Sequence, residues 1–306
     1  MALLTACSKN DTGGNGTGPD RPDGSAAETT AGVNGKPVIK GDIDKKAILL
    51  VSSGTDYQGG RELSIEQIAA GIRTSFPEYE LRQAYTSQIV LAKLKETEGL
   101  DIDDVETAMQ KLVDEGFGTL VVQPTHVIAD NEFTKMCEVL VPFTDYFVQM
   151  KTGQPLLGGP EDYQRVTQAL ISELISFSNN GVSYVLMGYG SDHGSGTAYS
   201  GLENAFREQG LMDYYVGIAE AEPGITEILN QLKETDTSKV ILISLMPVAS
   251  DPDAGDMAAE AAGSWQDQLT AAGYKVEYVS QGLGEYLGIR EIYLAHIYDC
   301  MNSFSE

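Results

Sequence analysis

The stretch Lys46–Thr55, which reads KAILLVSSGT, decides the fold of this chain. An apolar run rich in branched aliphatic side chains fills its first part, and the small residues Ser52, Ser53, Gly54 and Thr55 follow. A short apolar run bounded by turn-forming residues is typical of a buried strand. We therefore predict that a strand crosses the core here and ends in a tight turn.

A helix is predicted directly after this turn. Ile65, Ile68, Ile72 and Phe76 recur at helical spacing on one face, and Pro77 ends the pattern. Strands and helices then alternate, which implies a parallel sheet with covered faces. The remaining predicted elements of this half are a strand at Glu80–Tyr85, a helix at Val105–Glu115 and a strand at Thr119–Gln123.

The same order of elements repeats in the second half of the chain, which suggests a duplicated doubly wound domain. We therefore predict an α/β fold with two Rossmann-like parallel-sheet halves, residues 45–160 and 161–306, that face a central cleft. The predicted second-half elements are strands at Tyr184–Met187, Tyr214–Ala219 and Val240–Ser244, helices near Leu202–Gln209 and Ile225–Lys233, and a helix at Gln164–Phe177 between the halves.

The residues before the predicted globular part have the composition of a membrane tether. Leu4–Cys7 resembles a bacterial lipobox, so residues 1–7 are interpreted as the remainder of a signal peptide whose Cys7 is acylated. Residues 8–44 are rich in Gly, Thr, Asn, Asp and Ser and too poor in apolar residues to order themselves. The hypothesis is a lipoprotein anchored to the membrane outside the cytoplasm, in the periplasm or on the cell surface. A chance match to the lipobox is the alternative.

The charge balance excludes one class of partner. Asp and Glu number 45 against 20 Lys and Arg, which gives a formal net charge of −25. Such a surface repels a phosphate backbone, so nucleic acid is not expected as a partner, whereas divalent cations are attracted. The cysteines Cys7, Cys137 and Cys300 lack metal-binding CxxC spacing. A Cys137–Cys300 disulfide depends on whether the fold brings the two residues together.

The loops that follow the predicted strands carry the candidate ligand-binding side chains, because ligands of open parallel sheets bind beyond the carboxyl ends of the strands. His126 and His193 lie in such loops, whereas His296 lies in a C-terminal helical pattern and is interpreted as structural. Carboxylates, imidazoles and phenols together favour a hard or borderline divalent ion. The strand-end carboxylates are Glu132, Glu220, Glu222, Asp251, Asp253 and Asp256.

Several short motifs together resemble the anaerobic cobalt chelatase family. The resemblance extends from Lys46 to about His296, and it implies two Rossmann-like halves with a tetrapyrrole in the cleft and insertion of Co²⁺ into sirohydrochlorin. The motifs that carry it are Leu50–Thr55, Ala84–Ser87, Val122–Gln123 with His126, Pro155–Leu157, Met187–Gly190, Val216–Glu220, Leu245–Ala249, Asp256–Ala258 with Ser264–Trp265, and Gly282–Glu285.

The resemblance also implies a metal centre of two histidines and a glutamate. The glutamate falls on Glu220, whereas the two histidine positions fall on Tyr189 and Pro252. We therefore predict that Glu220 and His193 bind the metal and that Tyr189 and Glu132 are the catalytic groups. The residues predicted to contact the tetrapyrrole are Ser53, Gly54, His126, Gly188, Gly190 and Met246.

Two functions remain open at this point. The first is a tetrapyrrole metallochelatase of the sirohydrochlorin cobaltochelatase type, which inserts Co²⁺ or Fe²⁺ in anaerobic cobalamin or haem-related metabolism. The second is a lipoprotein that binds haem, another tetrapyrrole or a metal without catalysing insertion. Tyr189 and Pro252 favour the second function, because neither titrates near neutral pH and tyrosine is a known axial ligand of haem iron. A homo-oligomer is a further hypothesis for either function.

The tether hypothesis predicts where the protein is found in a bacterial cell. The full-length chain is expected in the membrane fraction, because acyl chains on Cys7 hold it there. Cys7→Ser removes the acyl acceptor and should move the chain to the soluble fraction, with Cys300→Ser as the matched control. Fractionation and immunoblotting measure the distribution, and membrane retention of the Cys7→Ser variant would contradict the hypothesis.

Overall fold

The structure is a computed structural model that describes residues 33, 38–190, 193–219, 221–249 and 263–305. Of residues 193–195 and 305 it describes the backbone alone. Within these ranges, no helix has the length and apolar composition that crossing a membrane requires.

Alternating strands and helices form the first half, as predicted. Its elements are β1 (Asp42–Ser52), α1 (Gln58–Gly60), a π-helical turn (Arg61–Ile65), α2 (Glu66–Ser75), β2 (Glu80–Tyr85), α3 (Gln88–Glu98), β3 (Asp103–Asp104), α4 (Val105–Asp114), β4 (Phe117–Pro124), α5 (Asn131–Leu140), a 3₁₀ turn (Val141–Tyr146) and β5 (Gln149–Thr152). The strands pair in parallel as one five-stranded sheet in the order β3-β2-β1-β4-β5.

The second half has the same plan and follows the connecting helix α6 (Pro160–Leu174). Its elements are β6 (Val182–Gly188), α7 (His193–Glu208), β7 (Tyr214–Ile218), α8 (Ile225–Leu232), β8 (Lys239–Ser244), α9 (Trp265–Ala271), β9 (Lys275–Val279), a 3₁₀ turn (Leu283–Glu285) and α10 (Leu287–Asn302). The strands pair in parallel in the order β7-β6-β8-β9. The predicted α/β fold with two parallel sheets is confirmed.

Three edge strands were absent from the prediction, and one of them, β3, has only two residues. β5 reads QMKT and is too short and too polar to stand out as an apolar run. β9 reads KVEYV and alternates polar and apolar residues, because part of the strand remains exposed. The central strands were located correctly because both of their faces are buried and their sequences are continuously apolar.

The side chains of each central strand divide between two layers of core. Ile48 and Leu50 of β1 point into a core that they share with Leu186 of the second sheet. Leu49 and Val51 point to the opposite face, into a core formed by the first half alone. Successive side chains of a strand face opposite sides of the sheet, so one apolar run supplies both layers.

The first strand begins before the predicted tether boundary at residue 44. β1 starts at Asp42, whose backbone N–H donates to the carbonyl of Gly116 at 3.0 Å. The N–H of Gly41 donates to the carbonyl of Tyr146 at 3.0 Å, and Val38 packs on the first-half core. Residues 38–44 are therefore part of the folded half, because backbone hydrogen bonds and a small apolar contact hold them.

The last helix returns to the first half of the chain. α10 packs against α6 and α2 and against strands β4 and β5. The hydroxyl of Tyr293 donates to the carbonyl of Thr125 at 2.9 Å. The C-terminal segment of the predicted 161–306 half therefore contributes to the folding of both halves.

His296 has the structural role that the sequence indicated. Its Nδ1 lies 3.1 Å from the carbonyl oxygen of Gln154, and its Nε2 lies 2.9 Å from Oδ1 of Asp162. Both partners belong to the segment that connects the halves. Cys300, also on α10, is a buried free thiol, so the Cys137–Cys300 pair does not form.

The buried Tyr293 contact predicts a stability difference between two tyrosines of one helix. Tyr293→Phe removes the donor to the Thr125 carbonyl and should lower the free energy of unfolding by about 1–2 kcal/mol, because a buried acceptor loses its partner. Tyr298 is 60% exposed, so Tyr298→Phe should change stability by less than about 0.5 kcal/mol. Urea unfolding at neutral pH measures both, and equal values would show that the buried bond is dispensable.

Candidate functional site

A cavity of about 320 Å³ lies where the carboxyl ends of the two sheets meet. This volume is at the lower end of the range of small-molecule sites, which is roughly 300–1,000 Å³. Both halves contribute to its wall, as expected for a cleft between two doubly wound units. The lining residues are Ser52–Gly54, His126–Ile128, Asp130 and Glu132 from the first half, and Tyr189, Tyr199 and Leu245–Val248 from the second.

The turn after β1 brings backbone to the cavity wall. Gly54 has φ +82°, and a Cβ at this position would lie 2.4 Å from Cδ2 of Tyr85, so only glycine fits. Its N–H donates to Oγ of Ser52 at 3.1 Å. Ser53 and Gly54 therefore line the cavity as predicted, with the turn held in a fixed shape by the Ser52 hydroxyl.

The turn after β6 is fixed by a tyrosine that sequence reasoning missed. Tyr199 of α7 accepts a hydrogen bond from the N–H of Tyr189 at 3.1 Å and donates one to its carbonyl at 2.9 Å. A Cβ on Gly188 would lie 2.4 Å from Cζ of Tyr199, so the ring packs directly on the glycine. Burial raises the pKa of Tyr199, so its hydroxyl stays protonated. Gly190 follows with φ 139°.

His126 is a deeply buried ionisable group of the cavity wall. It is 5% exposed, and neither ring nitrogen has a hydrogen-bond partner in the described part of the chain. A buried polar group without a partner costs about 1–3 kcal/mol. Burial lowers the pKa of His126, while the nearby charges of Glu132 and Asp130 oppose that shift, so the neutral imidazole is favoured near pH 7.

Glu132 and Asp130 stand at the start of α5 rather than in the loop that the sequence predicted. Asp130 caps this helix by accepting from the N–H of Phe133 at 2.9 Å. Glu132 lies in the first helical turn, where its carboxylate accepts a hydrogen bond from the hydroxyl of Thr86. Helix α5 begins at Asn131 because Asp130 caps it. The prediction from the sequence treated this segment as a strand-end loop and did not use the capping signal.

Part of the predicted metal site lies outside the described residues. This applies to Glu220, Pro252 and the strand-end carboxylates Asp251, Asp253 and Asp256. His193 begins α7, but its side chain is not described. In the parts of the chain that the structure does describe, no group of three or more His, Cys, Asp or Glu residues is arranged to hold a metal ion.

The structure brings six of the predicted site residues to one cavity: Ser53, Gly54, His126, Glu132, Tyr189 and Met246. Gly188 and Gly190 flank Tyr189 in the β6 turn. Glu222 is held by its own loop, because its carboxylate accepts from the N–H of Gly224 at 3.1 Å. Tyr199 could not be identified from the sequence, because its role depends on a helix folding back onto the preceding strand.

Comparison with known proteins finds a matching family model and relatives that align with most of the chain. The family model described as cobalt chelatase (CbiK) matches residues 46–302. The sirohydrochlorin cobaltochelatase of Salmonella typhimurium is 32% identical over 258 residues, which cover 84% of this chain and 97% of that protein. The sirohydrochlorin cobaltochelatase CbiKC of Nitratidesulfovibrio vulgaris is 28% identical over 264 residues, which cover 86% of this chain and 93% of that protein.

Solved structures share the fold at low sequence identity. SirB from Bacillus subtilis with Fe³⁺ superposes with a TM-score of 0.59 at 16% identity, covering 86% of this chain and 98% of SirB. SirB from Bacillus subtilis subspecies spizizenii in complex with cobalt gives a TM-score of 0.57 at 12% identity, covering 84% and 96%. The two-sheet architecture, the cleft between the sheets and the match over residues 46–302 lead to one conclusion: this chain belongs to the cobalt chelatase (CbiK) family.

Proposed function

We propose that this chain is a tetrapyrrole metallochelatase of the sirohydrochlorin cobaltochelatase type. The observation that carries the proposal is the cavity between the sheets, where a buried imidazole, a tyrosine and two acidic side chains meet in a chain of this family. The curated relatives are named for sirohydrochlorin and cobalt. Co²⁺ is therefore the first candidate for the substrate ion, and Fe²⁺ is the second.

The reaction sets two requirements for the cavity wall. A divalent ion and a tetrapyrrole with two pyrrole N–H groups become a metal tetrapyrrole and two protons, so the protein must accept protons and hold the ion briefly. We assign proton acceptance to the carboxylate of Glu132, which Thr86 orients, and to its neighbour Asp130. Their negative charge also favours the approach of the cation.

The remaining wall of the cavity suits the flat conjugated ring of a tetrapyrrole. Leu245–Val248 and Val127–Ile128 supply aliphatic surface, and the rigid turns of Gly54 and Tyr189 supply backbone and a phenol. Apolar walls with a few fixed polar groups are typical of small-molecule sites. We propose that the tetrapyrrole binds against this surface with one face of its ring toward Glu132, so that the carboxylate can reach the central pyrrole N–H groups.

A second function rests on Tyr189. The clamp by Tyr199 holds Tyr189 at the cavity wall, in a position where the resemblance implies a histidine. A phenolate can act as an axial ligand of ferric haem. The alternative is therefore a lipoprotein that binds haem or another tetrapyrrole and does not insert metal.

The location of the protein is part of the proposal. The lipobox at Leu4–Cys7 and the polar composition of residues 8–37 support a lipid anchor at Cys7 and a position outside the cytoplasm. Cys7 lies outside the described residues. Assembly into a homo-oligomer remains a prediction, because the structure describes a single chain.

The chelatase proposal predicts metal insertion that responds to imidazoles in the second half. The Cys7→Ser chain should convert sirohydrochlorin and Co²⁺ to the cobalt product faster than a protein-free control. Tyr189→His combined with Pro252→His should raise this rate by roughly 10²-fold, because it adds bases whose pKa lies near neutral pH. Visible absorption of the macrocycle follows the reaction, and a wild-type rate equal to the protein-free rate would contradict the proposal.

The same proteins distinguish the haem-binding alternative. If Tyr189 binds ferric haem, the wild type should give a haem absorption band that Tyr189→Phe shifts or abolishes, and the double variant should gain no insertion activity. Tyr274→Phe, which changes a half-buried tyrosine away from the cavity, is the matched control. A chain that inserts Co²⁺ and is unaffected by Tyr189→Phe would exclude a haem-ligand role.

The predicted metal ligand Glu220 has a matched neighbour. Glu220→Gln should weaken Co²⁺ binding by about tenfold or more, because a carboxylate ligand is replaced by a neutral amide. Glu222→Gln should leave the affinity nearly unchanged, since the Glu222 carboxylate is engaged by the backbone of Gly224. Calorimetric titration with Co²⁺ measures both affinities. Equal affinities in Glu220→Gln and the wild type would remove Glu220 from the site.

A further inference from the structure

His126 is a buried polar side chain that the proposed reaction has not yet used. We propose that its imidazole is a ligand of the substrate ion, a borderline divalent cation such as Co²⁺, which it holds in the cavity until the tetrapyrrole takes it. This inference rests on the proposed chelatase function and adds a metal site in the first half of the chain. It involves neither Glu220 nor His193.

His126 lies in the loop after β4, and backbone hydrogen bonds hold this loop in place. Its own carbonyl accepts from the N–H of Leu156 at 2.9 Å, and the preceding Thr125 donates its N–H to the carbonyl of Val51 at 2.8 Å. The edge of the ring meets Phe133, with the ring centroids 5.9 Å apart and the planes at 77°. Backbone on one side and an aromatic ring on the other therefore fix where the imidazole lies.

The unpaired nitrogens define the chemical class of the ligand. Nδ1 and Nε2 have no hydrogen-bond partner in the described part of the chain, although the residue is 5% exposed. His296 differs, because both of its ring nitrogens are engaged by Gln154 and Asp162. A neutral imidazole offers one lone pair, which suits the divalent ions of cobalt, iron, nickel and zinc.

The surroundings of His126 favour a cation over an anion. Asp130 and Glu132 line the same cavity, and their charges favour a positive charge at His126, whereas its burial disfavours one. Two carboxylates raise the local concentration of a divalent ion and repel an anionic group. A carboxylate of the macrocycle is thus a poorer partner for this imidazole than a metal ion.

The small number of protein ligands fits an ion that must leave. No described group of three or more His, Cys, Asp or Glu residues forms a cage, so the described residues offer an ion at His126 an open site. A full cage of protein ligands binds its metal for structural purposes, whereas an open site exchanges it. One imidazole with carboxylates nearby therefore holds the ion loosely enough to transfer it. Since both nitrogens are buried, binding entails a small side-chain rearrangement at the cavity wall.

The chain contains three histidines, so single substitutions can identify the ligand. His126→Gln, His193→Gln and His296→Gln are titrated with Co²⁺ alone, and the proton NMR spectrum is searched for a hyperfine-shifted imidazole N–H. We expect one such signal, that of His126, to disappear in His126→Gln and to persist in both His193→Gln and His296→Gln. The calorimetric Co²⁺ affinity of His126→Gln should fall by roughly 10–100-fold. Persistence of the signal in folded His126→Gln would overturn the proposal.

A second variant keeps the test decisive if His126→Gln does not fold. His126→Cys places a thiolate at the same position and should create an intense thiolate-to-Co²⁺ charge-transfer band that the wild type lacks. A folded His126→Cys protein without that band would overturn the proposal, because a ligand at this position must report on the ion. Circular dichroism establishes that each variant is folded.

Insertion assays separate this site from the proposed function. A wild type that binds Co²⁺ through His126 but does not metallate sirohydrochlorin would retain the site and refute the chelatase proposal. A wild type that inserts Co²⁺ at a rate unchanged in folded His126→Gln would retain the chelatase proposal and refute this site. Loss of both the N–H signal and insertion in His126→Gln, with both retained in His296→Gln, is the result that the structure leads us to expect.

Discussion

One continuous hydrophobic core joins the inner faces of the two sheets, and the position of the cleft depends on it. Ile48 and Leu50 of the first sheet share this core with Leu186 and Ile243 of the second. Burial of apolar surface is the dominant favourable contribution to folding, so the sheets cannot separate without exposing that core to water. The strand ends that form the cavity are therefore held at fixed positions, although they are far apart in the sequence.

A small set of hydrogen bonds holds the residues of the cavity wall in place next to this core. Tyr199 holds the backbone of Tyr189, and Thr86 holds the carboxylate of Glu132. Tyr293 satisfies the carbonyl of Thr125, immediately before His126. Each of these contacts satisfies a polar group at the edge of the apolar region, where leaving it unpaired would be costly. The buried imidazole of His126 differs, because neither of its ring nitrogens has a hydrogen-bond partner in the described part of the chain.

The sequence predicted the elements better than the site, for a physical reason. A strand such as Lys46–Val51 is recognisable because both of its faces are buried, so its residues are almost all apolar. The contact between Tyr293 and Thr125 joins residues 168 positions apart, and no local pattern reveals it. The lack of a hydrogen-bond partner for His126 among the described residues is likewise a property of its whole surroundings. The residue type suggested a ligand-binding role, but its isolation from hydrogen-bond partners became visible only in the folded chain.

The direction of β1 has a consequence for how the molecule would sit at a membrane. The polar N-terminal segment enters the fold at Asp42, and the cavity lies at the opposite end of the same strand, beyond Ser52. Over 11 residues a strand extends by roughly 35 Å. A lipid anchor at Cys7 would then attach to the face remote from the cleft. The attachment point of such an anchor would therefore leave the mouth of the cleft uncovered, so that a dissolved macrocycle could reach it.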